Sequence, residues 1–423
     1  MKNAFLIAAA SSGSGKTTLS LGLMRALTRK GISVQPFKCG PDYIDTQYHR
    51  EATGCQSINL DLFMASEGHV RNLFDSYSQT ADVSIIEGVM GLFDGFDKME
   101  GSSADIASRL DIPVVLLVNA ASTAYSVAAT IYGFTHFYKG VKVAGVIFNR
   151  VASESHYAYL REACHDINLP SFGYLRKNEG LSTPSRHLGL SLESKAEIDR
   201  FISTAADEVE MNVDLDGILK ATKIEPRDVV MTEAIKRNGK VAVARDEAFN
   251  FIYPANVRAF GGEITYFSPL RDTKLPMADI VYLPGGYPEL YAEELEKNVK
   301  MRAAIKEYVD NGNKLLAECG GMIYLTDEID GKEMCGVLPL KTTMEGARLK
   351  LGYRKICFPG IELRGHEFHY SRTLATEHVP SIATQMNVRG KEIDTPVYRY
   401  KNAIAGYTHL YWAESDIFKL WDN

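Results

Sequence analysis

Residues 4–30 read AFLIAAASSGSGKTTLSLGLMRALTRK, and the order of residue types in this stretch decides the fold of the first half. Ala4–Ala10 is a short continuous apolar run, the pattern of a strand buried on both faces. Ser11–Gly15 is rich in Gly and Ser, and a helical pattern from about Lys16 to Lys30 follows at once. A strand that turns into a helix through glycines points backbone N–H groups at an anion, and the helix start adds partial positive charge. Within Ser12-Gly13-Ser14-Gly15-Lys16-Thr17-Thr18, the lysine suits the β- and γ-phosphates of a nucleotide, and Thr17 suits Mg²⁺. The full G-x-x-x-x-G-K-[ST] pattern is not met, because Ala10 stands at its first Gly.

Outward from this stretch, Val83–Ile86, Pro113–Val118 and Val141–Phe148 are further short apolar runs between helical segments. Short continuous strands alternating with helices predict a parallel sheet covered on both faces. From about Leu192 to Gly239 the chain is charged and poor in β signal, which reads as connecting structure. A second α/β pattern then begins, with strands at Lys240–Ala244, Glu263–Phe267, Ile280–Leu283 and Lys314–Ala317 and one long helix over about Glu289–Asn311. The expected organisation is a first domain over 1–200, a linker over 201–239 and a second domain over 240–423.

Three segments belong around the phosphate cradle. Phe37–Asp45 carries Lys38, Asp42 and Asp45 in a Gly-Pro loop just after a strand, at the carboxyl end where α/β ligands sit. Glu87 ends the apolar run Ser84-Ile85-Ile86, the position of a Mg²⁺-associated carboxylate in phosphate-loop proteins, with Asp94 a weaker candidate. Asn149 ends another strand, where its amide suits an adenine edge or a plain turn.

In the second half, Leu315-Leu316-Ala317-Glu318-Cys319-Gly320-Gly321 sets a thiol between a strand and a helix with small neighbours. That is the pattern of a nucleophile elbow, and a following helix start lowers a thiol pKa. Gly285 and Gly286 in Pro284-Gly285-Gly286-Tyr287-Pro288 suit backbone donors to an oxyanion. A cysteine nucleophile needs a base. His366, His369 and His409 are the candidates, and the residues alone do not choose among them.

Composition excludes several classes. The chain has 423 residues, 45% hydrophobic and 24% charged, with a formal charge of −6. A disordered or collagen-like chain and a small disulfide scaffold are excluded. A mildly acidic whole does not suit a nucleic-acid partner. The start, with Lys2 before an apolar run, resembles a signal peptide, but the run is short and enters the Gly/Ser loop rather than a cleavage site. No stretch approaches the 18 or so apolar residues of a membrane span, so no membrane partner is expected. The six cysteines form no C-x-x-C pair, so neither zinc nor a disulfide framework is implied, and a cytoplasmic, reducing compartment fits.

The two halves together resemble the cobyrinate a,c-diamide synthase family. The segments that carry the resemblance include SSGSGKTT, PFKCGPDYID, IIEGVMGLFDG, SRHLGL, ARDEAFNFIYP, LPGGYPELYAEEL, AECGGM and RGHEFHYS, spread over nearly the whole chain. The resemblance implies an α/β protein of two domains. The first is a P-loop, doubly wound, dethiobiotin-synthetase-like ATP domain, and the second a class I glutamine amidotransferase domain of flavodoxin-like architecture. It implies amidation of the a and c acetate side chains of a corrin precursor, cobyrinic acid, with ATP, Mg²⁺ and glutamine. It makes Cys319 the glutaminase nucleophile and His409 its base, and sets Lys16 and Thr17 on phosphate-loop positions. Asp42, Asp45 and Glu87 then lie by the metal and the reacting carboxylate, and G-H-E-F-H-Y is assigned to shape or tetrapyrrole contact. The related nickel-sirohydrochlorin a,c-diamide synthase is the alternative, and a homodimer is left open. Two departures stand out. Asn119 replaces an Asp usual in relatives, and Tyr411 stands where the ordinary amidotransferase triad has Glu. An interior route for ammonia between the two domains is expected.

Overall fold

The computed structural model describes residues 2–177, 181, 195–225, 227, 239–375 and 379–422. The motif SRHLGL at 185–190 and the linker positions 226 and 228–238 lie outside the described residues. The chain divides into two compact units, Met1–Leu62 with Ser66–Met231, and Thr232–Asn423 with Phe63–Ala65.

The first unit alternates strand and helix. Its elements are β1 (Lys2–Ala9), α1 (Lys16–Arg29), β2 (Val34–Cys39), α2 (Ile44–Thr53), β3 (Ile58–Leu60), α3 (Glu67–Ser78), β4 (Val83–Glu87) and α4 (Ser103–Arg109). They continue with β5 (Val114–Asn119), α5 (Val127–His136), β6 (Val143–Val151), α6 (Glu154–Asp166), β7 (Ser171–Arg176), α7 (Lys195–Asn212), α8 (Leu215–Ala221) and β8 (Lys223–Ile224). The sheet order is β3-β2-β4-β1-β5-β6-β7, and these seven strands are parallel. Only β8 is antiparallel, pairing with the first two residues of β1. The order reverses at β1, so the carboxyl ends of β1, β2 and β4 converge on the switch point where open α/β sheets bind ligands.

The structure corrects the expected domain boundary. Residues 201–224 are not a linker but part of the first unit. Helix α7 spans the expected boundary at 200 and buries Phe201, Ile202, Ala206 and Val209 in the same core as Leu19, Leu23 and Leu27 of α1. The helices approach closely, since a Cβ on Gly22 would lie 2.7 Å from Ala205 O. The charges that suggested a connector are its outer face, where Asp199 and Asp207 pair with Arg25 and Arg29 at 2.9 and 2.6 Å.

The second unit begins with β9 (Lys240–Ala244), α9 (Pro254–Ala259), β10 (Glu263–Phe267), β11 (Ile280–Leu283), α10 (Ala292–Lys297), α11 (Val299–Asp310), β12 (Lys314–Glu318) and α12 (Gly320–Tyr324). Shorter strands follow, β13 (Glu328–Ile329), β14 (Lys332–Glu333) and β15 (Leu340–Thr343), then the long hairpin β16 (Lys350–Phe358) and β17 (Ile361–His369). The last strands are β18 (Arg372–Ala375), β19 (Thr384–Met386), β20 (Glu392–Ile393), β21 (Val397–Tyr400), β22 (Ala403–Gly406) and β23 (Thr408–Tyr411). The main sheet, β10-β9-β11-β12-β22-β21, is parallel except for β21. An antiparallel sheet, β20-β19-β16-β17-β23, ends on the strand that carries His409.

The single long helix expected over 289–311 is a short 3₁₀ turn, Pro288–Tyr291, followed by α10 and α11. Asn298 makes the break. Its side-chain oxygen caps the Met301 N–H of α11, and its amide donates to Pro269 O and Asp272 O, both at 2.8 Å.

If α7 belongs to the core, Ile202→Ala should destabilise the first unit by about 2–5 kcal/mol in urea unfolding. A connector would lose less than about 0.5 kcal/mol from the same change.

Candidate active sites

The first site is built on the turn between β1 and α1. Gly13 and Gly15 take positive φ, 73° and 97°, which glycine adopts without penalty. Gly15 must also be bare because a Cβ there would lie 2.2 Å from Asn149 Nδ2. Lys16 folds back over the loop and donates to Ser11 O at 3.0 Å and Met90 O at 2.5 Å. Burial, and then the nearby Lys38, lower its pKa.

Behind this loop lies a buried ionic cluster. Glu87, at the end of β4, accepts from Thr17 Oγ1 and Lys38 Nζ through Oε1, both at 2.8 Å. Its Oε2 meets His49 Nε2 at 2.8 Å, and His49 Nδ1 meets Ser57 Oγ at 2.9 Å. Lys38 also donates to Asp45 at 2.6 Å. Burial works against every charge here, but the pairing outweighs it. Asp45 and Glu87 hold the Lys38 pKa well above its ordinary value, and Lys38 with His49 holds Glu87 well below its own. Asp42 accepts from the amides of Ile44 and Asp45 at 2.8 and 2.9 Å and so starts α2. A cavity of about 980 Å³ opens over the cluster. Ser12, Gly13, Gly15, Lys16, Thr17, Thr18, Lys38, Asp42, Asp45, Glu87 and Asn149 all line it.

Two expected roles change. The Asn149 amide is committed to the loop, donating to Ser14 O at 2.7 Å while its oxygen accepts from Arg150 N at 2.8 Å. It braces the cradle rather than presenting a base-reading edge. Asp94 closes its own turn by accepting from Gly91 N at 2.9 Å. His49 went unread in the sequence. The only available signal is its place one helical turn after Asp45 on α2.

The second site lies in the second unit, at the turn from β12 into α12. Cys319 has φ 46° and ψ −106°, a strained backbone for a side-chain-bearing residue. Its N–H donates to Gly406 O at 2.7 Å. The elbow needs its glycines. A Cβ on Gly320 would lie 2.8 Å from Pro288 Cδ and 2.9 Å from Gly286 N, and one on Gly321 would lie 2.1 Å from Leu283 O. The Gly285-Gly286 loop therefore faces the elbow. His409 packs on the same loop, since a Cβ on Gly285 would lie 2.0 Å from its Cε1.

Both members of the pair are buried, Cys319 at 3% exposure and His409 at 1%. Burial, and next Glu289, push the Cys319 thiol well up. Burial, and next His366 and His369, push His409 down to about 3. The resting pair is thus thiol and neutral imidazole. The Cys319 thiol donates to Phe368 O at 3.6 Å, so β17 runs beside it. On β17, His366 stands directly across from His409. Both ring nitrogens of His369 are engaged, with Glu367 at 2.8 Å and Ser371 O at 2.9 Å, and its ring stacks on Tyr407 at 3.6 Å. The Arg354–Glu367–His369 network at its base was not foreseen.

Among the described residues, no group of three or more His, Cys, Asp or Glu could hold a metal alone, and no helix is long and apolar enough to cross a membrane. The six cysteines are free thiols.

A phosphate cradle on a parallel sheet and a cysteine elbow on a second α/β sheet define a nucleotide-binding domain joined to an amidotransferase domain. Family models agree. The CobQ/CobB/MinD/ParA nucleotide binding domain matches residues 5–190, and the CobB/CobQ-like glutamine amidotransferase domain matches 240–417. Cobyrinate a,c-diamide synthase of Caldanaerobacter subterraneus subsp. tengcongensis is 41% identical over 97% of this chain and 95% of its own. The protein of the same name from Priestia megaterium is 40% identical over 97% and 94%. Hydrogenobyrinate a,c-diamide synthase of Brucella suis is 39% identical over 96% and 98%. The chain belongs to the cobyrinate a,c-diamide synthase family and is an enzyme, a glutamine-hydrolysing amide ligase.

Glu367 gives a pH-dependent test of the second unit. Burial opposes its charge, but His369 and Arg354 hold its carboxyl down at about 2 against an ordinary 4.5. As pH falls, the unfolded chain takes up the proton first, so this stabilisation is present above pH 4.5 and is lost towards pH 2. Glu367→Gln should flatten stability over that window in urea melts at stepped pH. An unchanged slope would count against the network.

Proposed function

We propose that this enzyme converts the a and c acetate side chains of cobyrinic acid to amides, using ATP and glutamine, in cobalamin biosynthesis. The observation that carries the reading is one chain holding both a phosphate cradle and a strained cysteine elbow. Near-full-length likeness to relatives named for that reaction supports it.

A carboxylate is a poor electrophile. In the proposed first step, an acetate oxygen of the ring attacks the γ-phosphorus of ATP, forming an acyl phosphate and releasing ADP. Lys16 and the amides of the Ser12–Thr18 loop bind the phosphates, and Lys38 adds positive charge behind them. Asp42 and Asp45 face the reacting carboxylate. The oxygen donors present fit Mg²⁺, since Thr17 Oγ1 touches Glu87 Oε1 and Asp42 lines the same cavity. When bound, the ion would supply charge neutralisation on the phosphates.

In the second unit, Cys319 passes its proton to His409 and attacks the glutamine side-chain amide. The Gly285-Gly286 loop receives the oxyanion. Ammonia leaves as a glutamyl thioester forms, and water then releases glutamate. That ammonia attacks the acyl phosphate, the C–O bond breaks, and phosphate departs with the amide formed.

Hydrogenobyrinic acid is the second acceptor to weigh, because relatives of that name match almost as closely. The test offers cobyrinic acid, hydrogenobyrinic acid and nickel-sirohydrochlorin in separate tubes with ATP, Mg²⁺ and glutamine, read by mass spectrometry. Two amidations on cobyrinic acid are expected. Two on the nickel ring alone would move the assignment to the alternative tetrapyrrole. Cys319→Ser should lower glutamine-dependent amidation more than about a hundredfold while sparing amidation from added ammonia. Loss of both activities in a folded variant would refute the division of labour.

A further inference from the structure

Glu289 is a half-buried acid that the steps above do not use. It lies in the Pro288–Tyr291 turn, directly after the Gly285-Gly286 loop. Its Oε2 is shut off from solvent and has no hydrogen-bond partner. An unpartnered carboxylate oxygen shut off from water is destabilising, and the charged form is helped only by the backbone N–H of Glu289 itself. Its position is specific. Pro288, its neighbour, sits against Gly320, so Glu289 stands on the wall that faces the nucleophile. Of the carboxylates that bear on the Cys319 thiol, it acts most strongly, ahead of Glu318, which is adjacent in sequence, and of Glu367.

This arrangement hinders the thiol unless a cation joins it. A negative Glu289 opposes a thiolate at Cys319. Glutamine brings one cation, the α-ammonium, a few bonds from the amide that Cys319 attacks. We infer that Glu289 is the anionic subsite for the α-ammonium group of glutamine, so that substrate binding itself supplies the missing partner. Burial, and then Asp330, push the Glu289 carboxyl up to about 7, as expected for an acid waiting for a counter-ion. Once paired, its charge no longer weighs on Cys319, and the site favours amides that carry an α-amino group.

The inference rests on the glutaminase reading of Cys319, and the experiment separates the two. The full-length enzyme is assayed for amide hydrolysis with L-glutamine and with glutaric acid monoamide, which has the same amide and carboxylate but no α-ammonium. Glu289→Gln should lower kcat/KM for L-glutamine about ten- to hundredfold, mainly through KM, and should not lower it for the des-amino substrate, on which removing the unanswered charge favours the thiolate. Glu289→Asp should recover part of the loss. Ammonia-dependent amidation, unchanged in both variants, shows that they are folded. Equal losses on the two substrates, or none on either, would overturn the subsite. A wild-type enzyme unable to hydrolyse glutamine would overturn the glutaminase reading itself.

Discussion

Each site is built where a parallel strand hands over to a helix, through six residues after β1 and through Cys319 alone after β12, and in each the residue just before the helix takes a positive φ. The turn demands positive φ. After β1 it falls on Gly15 at 97°, and after β12 it falls on Cys319 at 46°. Glycine meets the demand without strain, so the loop can wrap a phosphate with backbone N–H groups alone. Cysteine meets it with strain, and the strain points a reactive side chain away from the sheet. A positive φ just before a helix therefore shapes a glycine loop in one unit and a cysteine elbow in the other. The sheets hold the turns in place. Residues 114–117 of β5 flank β1, and β22 flanks β12 so closely that the Cys319 amide bonds Gly406.

The electrostatics of the two sites run in opposite directions. Around Glu87 the interior holds formal charges because each is answered at hydrogen-bond distance by Lys38, His49 or Asp45. Such a cluster is poor as a source of stability but good as a source of fixed geometry. Around Cys319 the charges are suppressed. The thiol pKa is raised, His409 is lowered to about 3, and burial pushes Glu318 up to about 8.

The α/β elements were legible in the sequence wherever strands are continuous apolar runs. β9 and β11 fall on their expected residues, because parallel strands buried on both faces carry no polar alternation to confuse the pattern, and the edge strand β10 falls on its own although largely exposed. The antiparallel sheets between 340 and 411 were not read, since β16 and β17 mix charged and apolar residues. Helix α7 was missed for a related reason. Its charged outer face dominated the composition, while its buried stripe is legible only once α1 is known to lie against it. Cys319, Lys16, Glu87 and the glycines of both loops could be proposed because each sits in a short motif, whereas His409 was singled out from His366 and His369 only by the family resemblance. His49 sits in no such pattern, and Glu289, though inside LPGGYPELYAEEL, carried no role there; the surroundings of both depend on contacts that only folding makes.

The ordinary acid partner of the amidotransferase histidine is absent, with Tyr411 at its position, and the structure holds the backbone around His409 by other means. Glu318, one residue before the nucleophile, accepts from Leu410 N at 3.0 Å. Asn256 takes the other side, donating to Leu410 O at 2.8 Å and accepting from Trp412 N at 2.9 Å. Thr408, on the far side of His409, donates to Gln385 at 2.8 Å, and β17 pairs along the strand. Glu318 can serve because Tyr282 donates to its second oxygen at 2.7 Å, leaving neither carboxyl oxygen unanswered in the interior. The residue that precedes Cys319 thus fixes the strand that carries His409. The elbow at Cys319 and the backbone on either side of His409 are thereby registered to each other through one buried carboxyl group.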